Sequence, residues 1–157
     1  MATEYLMDLV GEGAKVAELQ GVPGASATID RGAGFHQVAD QSLQVAASQT
    51  ANFNRAEGMT VMENILQSDG TIKGVFAHND EMALGAVEAV AASGKDIKIV
   101  GFDATDDAQK AVKDGKMAAT VAQKPDKMGE TAIGTAVKIM AGETVEKSIP
   151  VEVELIK

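Results

Sequence analysis

GVFAHNDEMALGAVEAVAASGKDIKIVG, residues 74–101, is the stretch that decides the fold class. GVFA at 74–77 is apolar throughout, as a strand buried on both faces must be. HND then leads into an alanine-rich run, 80–93, that reads as a helix and stops at Gly94. A second apolar run, 97–101, follows almost at once. Strand, helix and strand joined this closely form a βαβ unit, with parallel strands and a right-handed crossover.

The rhythm repeats outward from there. Upstream, VAELQ (16–20) and residues 43–48 read as strands, with a helix capped by Ser26 or Thr28 running to about Ala39 between them. Residues 54–67 follow as a helix with Met59, Met62, Ile65 and Leu66 inward. Downstream come a helix at 105–114, a strand at 118–122 and a helix at 126–141. The last of these carries Met128, Ala132, Ile133, Ala136, Val137 and Met140 on one face. VEVELI (151–156) alternates like an edge strand, and Tyr5, Leu6, Leu9 and Val10 place a helix over 2–10. The expected fold is α/β, one domain over 1–157. It is a three-layer αβα, Rossmann-like or flavodoxin-like arrangement with a mostly parallel sheet of five strands plus a C-terminal edge strand.

Composition narrows the function. The net charge of −9 argues against nucleic acid as a partner and against docking on an anionic membrane. With no cysteine, disulfides, thiolate catalysis and cysteine metal sites are excluded. No segment approaches the roughly 20 continuous apolar residues of a membrane span. Met1 leads directly into TEYLMDLVGEG, so no signal peptide is visible. Because that methionine opens what reads as a helix, the chain is expected to be part of a larger protein.

In an open α/β sheet, ligands bind at the carboxyl ends of the strands. Five polar loops fall there, and Asn79, Asp103 and Gln123 stand at corresponding places just beyond apolar runs. Arg31 follows the first strand and Phe53 the second, while Phe102 precedes Asp103. An Arg, an Asn, an Asp and a Gln beside phenylalanine rings suit a neutral polyol. The polar groups pair with vicinal hydroxyls, and a ring face covers the C–H side of a sugar. Each residue also has a purely structural reading. Asn79, Asp80 and Thr105 occupy helix-cap positions, Arg31 fits a solvated surface charge, and Phe53 and Phe102 fit core packing equally well. Phe35 and Phe76 belong to the core.

Catalytic and cofactor patterns are absent. GVPGASAT (21–28) lacks the Gly-Lys-Ser/Thr ending of a phosphate loop and is no dinucleotide fingerprint. There is no GxSxG elbow and no Ser/His/Asp order. A receiver domain needs an acidic pair where this chain has Gln20 and Gly21. Two separate histidines, His36 and His78, make no metal site. Ser26 and Thr28 leave a flavodoxin-like FMN site as an alternative, without a Trp to cover the flavin. No enzyme activity, cofactor or metal is expected.

ELQGVPGASATIDRGAGF (18–35), FAHNDEMALGAVEA (76–89), IVGFDAT (99–105) and KMAATVAQKP (116–125) together resemble the carboxy-terminal lobe of ribose-binding proteins. These are the sugar receptors of bacterial ABC importers, related to the sensor domains of LacI-type repressors. The resemblance runs over essentially the whole chain. It implies ligand contacts at Arg31, Phe53, Asn79, Phe102, Asp103 and Gln123. It implies a ribose-like pentose as ligand, an importer permease as partner, and a periplasmic or extracytoplasmic site, lipid-anchored in Gram-positive relatives. Ala104 departs from the family's usual glycine, so its backbone is expected to need a positive φ.

The resemblance also implies that the chain is that lobe only. On this reading, residues 124–147 correspond to the segment that crosses into a missing amino-terminal lobe. The isolated chain then binds ribose weakly or not at all, at roughly millimolar or worse. Helix 126–141, deprived of its partner, folds back on the sheet or pairs with a second copy in a homodimer. The effector-binding core of a LacI-type transcription regulator is the alternative function.

Overall fold

Alternating side chains along the apolar strands decide which layer covers which face. Val75 and Ile99 are register partners and point to one core; Phe76 and Val100, one residue on, are partners and point to the other. Each strand of this kind needs helices on both sides. The computed structural model, which describes residues 1–157, supplies them. In chain order the elements are α1 (Ala2–Val10), β1 (Lys15–Gln20), α2 (Ser26–Ser42), β2 (Gln44–Thr50), α3 (Arg55–Ser68) and β3 (Gly74–Ala77). They continue with α4 (Asp80–Ser93), β4 (Lys98–Asp103), α5 (Asp106–Lys113), β5 (Ala119–Ala122), α6 (Pro125–Met140) and β6 (Glu154–Ile156).

One six-stranded sheet runs in the order β2-β1-β3-β4-β5-β6. All neighbours are parallel except β6, which pairs antiparallel with β5. The result is a single α/β domain with a mostly parallel sheet flanked by helices. One core lies under α3, α4 and α5 and contains Leu19, Met62, Ile65, Val75, Met82 and Ile99. The other lies under α1 and α2, with Leu6, Val16, Phe35, Phe76 and Val100, and Phe35 stacks on Phe76 with ring centroids 5.2 Å apart. The closest helix packing is between α3 and α4, where Gly58 and Gly85 face backbone atoms of the opposite helix.

Two expectations from the sequence need correction. The edge strand is confined to Glu154–Ile156, so the alternation of 151–156 marks a longer strand than forms. The larger correction concerns α6, none of whose residues is buried. Ile133 is 70% exposed, Val137 60% and Met140 87%, so the helix does not fold back on the sheet, one of the two outcomes expected for it. The helix itself is sound, with Pro125 in its first turn. An apolar stripe specifies a helix with one preferred face; it does not specify what that face meets.

Candidate functional site

β1 sits inside the sheet, with β2 on one side and β3 on the other. The chain therefore reverses direction across the sheet between β2 and β3. Such a switch point opens a crevice at the carboxyl ends of the strands. All six residues marked in the sequence lie at that edge. Arg31 is in the second turn of α2, which follows β1, and Phe53 follows β2. Asn79 follows β3, Phe102 and Asp103 end β4, and Gln123 follows β5.

Four of the six form one connected cluster. Arg31 Nη2 donates to Asp103 Oδ1 at 3.0 Å, and Gln123 Nε2 donates to the same oxygen at 2.7 Å. The Arg31 guanidinium lies 4.0 Å from the centre of the Phe102 ring, a cation–π contact. Arg31 Nη1 donates to the carbonyl of His78, one residue before Asn79. The other two residues form a neighbouring pair, Asn79 Nδ2 donating to the Phe53 carbonyl at 3.3 Å. Asn79 also caps α4, its Oδ1 accepting from Met82 N, so the capping reading of this residue holds. Thr105 caps α5 and Asn54 caps α3, whereas neither Ser26 nor Thr28 caps α2.

Donors and acceptors remain free for a ligand. Arg31 has five N–H donors, of which two are used within the protein. Asp103 Oδ2 and Gln123 Oε1 accept nothing from the protein. Arg31 is 13% exposed and Asp103 30%, so both are partly desolvated but reachable.

The turn that presents Asp103 is strained and pinned from below. Asp103 has φ 113° and Ala104 φ 53°, positions that a side chain disfavours. Asp80, fully buried, holds this turn in place. Its Oδ2 accepts from Thr105 N at 2.7 Å, and its Oδ1 accepts from Thr120 Oγ1 at 2.6 Å. Burial pushes the Asp80 carboxyl above its usual value, against the lowering effect of the Thr120 and Thr105 bonds. Gly101 leaves the room, since a Cβ there would fall 2.4 Å from Asp80 Oδ1. Ala104→Gly should relieve part of this strain and raise the unfolding free energy by about 0.5–1 kcal/mol. Chemical denaturation checks it, and an Ala104→Gly protein no more stable than the parent would contradict the strain.

Three residues here escape a reading by periodicity. In the sequence Asp80 reads only as a possible cap, and Glu18 and His78 carry no role. Glu18 is a charge inside the apolar strand VAELQ, which is a visible signal, but its partner His78 lies far along the chain. The two are joined at 2.8 Å, Glu18 Oε1 accepting from His78 Nε2. No buried side-chain nitrogen or oxygen lacks a hydrogen-bond partner.

The structure thus presents a single α/β domain with a switch-point crevice edged by Arg31, Asp103, Gln123 and a phenylalanine face. Comparison with known proteins makes the class specific. The family described as periplasmic binding protein domain matches residues 1–144, and this chain belongs to it. The ribose import binding protein of Bacillus subtilis is 55% identical over 155 residues, covering 99% of this chain and 51% of that protein. Among solved structures, a periplasmic solute binding protein of an ABC transporter from Actinobacillus succinogenes with bound D-allose superposes with a TM-score of 0.90 at 31% identity. It covers 99% of this chain and 57% of the other. The binding protein of the arabinose ABC transporter from Shewanella, bound to L-arabinofuranose, gives a TM-score of 0.86 at 38% identity, covering 97% and 53%. The family serves periplasmic or extracytoplasmic solute recognition in transport, and the chain is not an enzyme.

These matches correct the expectation of a carboxy-terminal lobe only. The family description applies to residues 1–144 as a binding-protein domain, and the relatives align over nearly the whole chain. The matched relatives are sugar-binding proteins of ABC importers, and nothing in them supports the expectation of a weak or inactive remnant. The absent lobe as a partner is withdrawn with that reading. The homodimer through helix 126–141 falls with it, since that pairing depends on the loss of the lobe. The chain spans about half the length of the curated relatives it matches.

Proposed function

We propose that the protein captures a small neutral sugar, D-ribose first among the candidates, at the carboxyl edge of β1, β3, β4 and β5. Capture would take place outside the cytoplasmic membrane and would serve delivery to the permease of an ABC importer. The observation that carries this reading is the Arg31–Asp103–Gln123 cluster with the Phe102 ring against the guanidinium. A paired Arg and Asp offer donors and an acceptor at fixed spacing with no net charge, which suits vicinal hydroxyls better than a phosphate or a cation. Phe53 and Phe102 would supply apolar faces for the C–H side of the ring, and Asn79 a further donor. The crevice between β1 and β3 supports the finer reading of a three-layer, Rossmann-like or flavodoxin-like domain, with the sugar at its switch point. Ribose is preferred because the Bacillus subtilis relative is a ribose import protein; structures with D-allose and L-arabinofuranose supply competitors to compare with it.

Titration calorimetry with D-ribose, D-allose and L-arabinose tests the reading. The expected result is binding with D-ribose preferred, weakened roughly 30-fold or more by Asp103→Ala, or about 2 kcal/mol. Part of that loss reflects Arg31 left without its carboxylate. No heat with any of the three sugars, or an Asp103→Ala protein that binds like the parent, would refute it.

A further inference from the structure

His78 is 1% exposed and lies between the two halves of the site without belonging to either. Its carbonyl accepts from Arg31 Nη1, and Asn79 is the next residue. Its ring Nδ1 faces the N–H of Gly21 at 3.4 Å, and Nε2 meets Glu18 Oε1 at 2.8 Å. An N–H on one side and a carboxylate on the other dictate one tautomer, with the proton on Nε2 and a lone pair on Nδ1. Gly21 in turn supports Phe53. A Cβ on Gly21 would fall 2.0–2.5 Å from three atoms of the Phe53 ring, so the ring lies directly on that backbone.

Glu18 keeps the histidine in this state. It is fully buried in β1 and accepts from Ser48 Oγ at 2.5 Å and Gln20 Nε2 at 3.0 Å, with His36 Nε2 at 3.3 Å. A carboxylate in the middle of a sheet is costly unless its bonds are complete, and a core needing only volume is better filled by an apolar side chain. α2 passes close over the pair, since a Cβ on Gly32 would fall 3.3 Å from His78 Cε1 and 3.5 Å from Glu18 Oε1. That approach brings the adjacent Arg31 to the His78 carbonyl.

We infer that His78, oriented by Glu18, is a positioning residue of the sugar site. Its ring fixes Gly21 beneath Phe53, and its carbonyl fixes Arg31 against Asp103. The assignment rests on the proposed sugar site for its consequence, and on the hydrogen-bond geometry alone for its mechanism.

The test compares His78→Gln, whose amide can donate to Glu18 and accept from Gly21, with His78→Leu, which can do neither. His78→Leu should weaken D-ribose binding about tenfold or more and shift the backbone amide resonances of Gly21 and Phe53. His78→Gln should return the affinity to within about threefold of the parent and restore those resonances. In the unsubstituted protein, nitrogen NMR should show the proton of the His78 ring on Nε2. A folded His78→Leu protein with unchanged affinity and amide resonances overturns the inference, as does a His78→Gln protein no better than His78→Leu. A ring proton on Nδ1 overturns it too, and that measurement needs no variant to fold. If the unsubstituted protein binds no D-ribose, the sugar reading is what fails. The tautomer and the Gly21 resonance, both recorded without sugar, then decide the positioning role.

Discussion

Gly85→Ala is expected to lower the unfolding free energy by about 3 kcal/mol, although alanine is the better helix former by about 1 kcal/mol. The reason is the contact between α3 and α4. A Cβ on Gly85 would fall 2.1 Å from the Arg55 carbonyl oxygen and 2.6 Å from Met59 N. From the other side, a Cβ on Gly58 would fall 2.7 Å from Met82 Cα and from its carbonyl oxygen. These are backbone atoms, so no rotamer change makes room and the helices must separate. Met62, Ile65 and Met82, all fully buried, would lose packing as they do. The site would also suffer, because α3 begins two residues after Phe53 and α4 directly after Asn79. Their close approach underlies the 3.3 Å bond between Asn79 and the Phe53 carbonyl. Gly134→Ala in α6 is the control: nothing lies within 4 Å of that position, and the change should stabilise by about 0.5–1 kcal/mol. Urea unfolding followed by circular dichroism measures both. A Gly85→Ala protein as stable as the parent would show that the two helices do not pack this closely.

The residues legible in the sequence are those whose position is tied to a local pattern. Asn79, Asp103 and Gln123 follow apolar runs that are unmistakable strands, and strand ends in a parallel sheet share one edge. Phe35 and Phe76 were legible as core for the same reason, and they stack. The positive φ expected at Ala104 is present, while the one at Asp103 was hidden because nothing in FDAT marks a left-handed residue. Helix 126–141 shows a different limit. Its periodicity is correct, but the expected fold-back on the sheet does not occur, because a stripe of Met, Ile and Val is the same whether or not a core faces it. Glu18 and His78 show a third: a charge in VAELQ is conspicuous, but its meaning depends on a residue that only the β1–β3 register brings near.

Glu18 also sets the second large effect, on stability in acid. Burial raises the Glu18 carboxyl, but hydrogen bonds from His78, Ser48 and Gln20 outweigh it and hold the group lowered from 4.5 to about 2. A carboxyl that binds its proton less tightly in the folded state than in the unfolded chain stabilises the fold while ionised. That contribution is therefore complete above about pH 5 and drains away as the pH falls toward 2. At about 1.4 kcal/mol for each unit, it amounts to roughly 3 kcal/mol. Asp80, raised by burial, works in the opposite direction. Its contribution is present below the ordinary aspartate value and lost as the pH rises, so the total acid response is smaller than that of Glu18 alone. His36 contributes on the acid side as well. It is raised chiefly by its bond to Asp40, against partial burial and with Glu18 nearby, and its share is full below the ordinary histidine value. Glu18→Gln separates these effects, because the other groups remain in both proteins. The parent should be more stable than Glu18→Gln by about 3 kcal/mol near pH 6, and the gap should close as the pH approaches 2. His36 contacts Glu18 and itself responds to the substitution above pH 6, so the acid limb carries the test. A gap that stays constant between pH 6 and 2 would mean that Glu18 is not held ionised by its partners, and the tautomer assigned to His78 would lose its support with it.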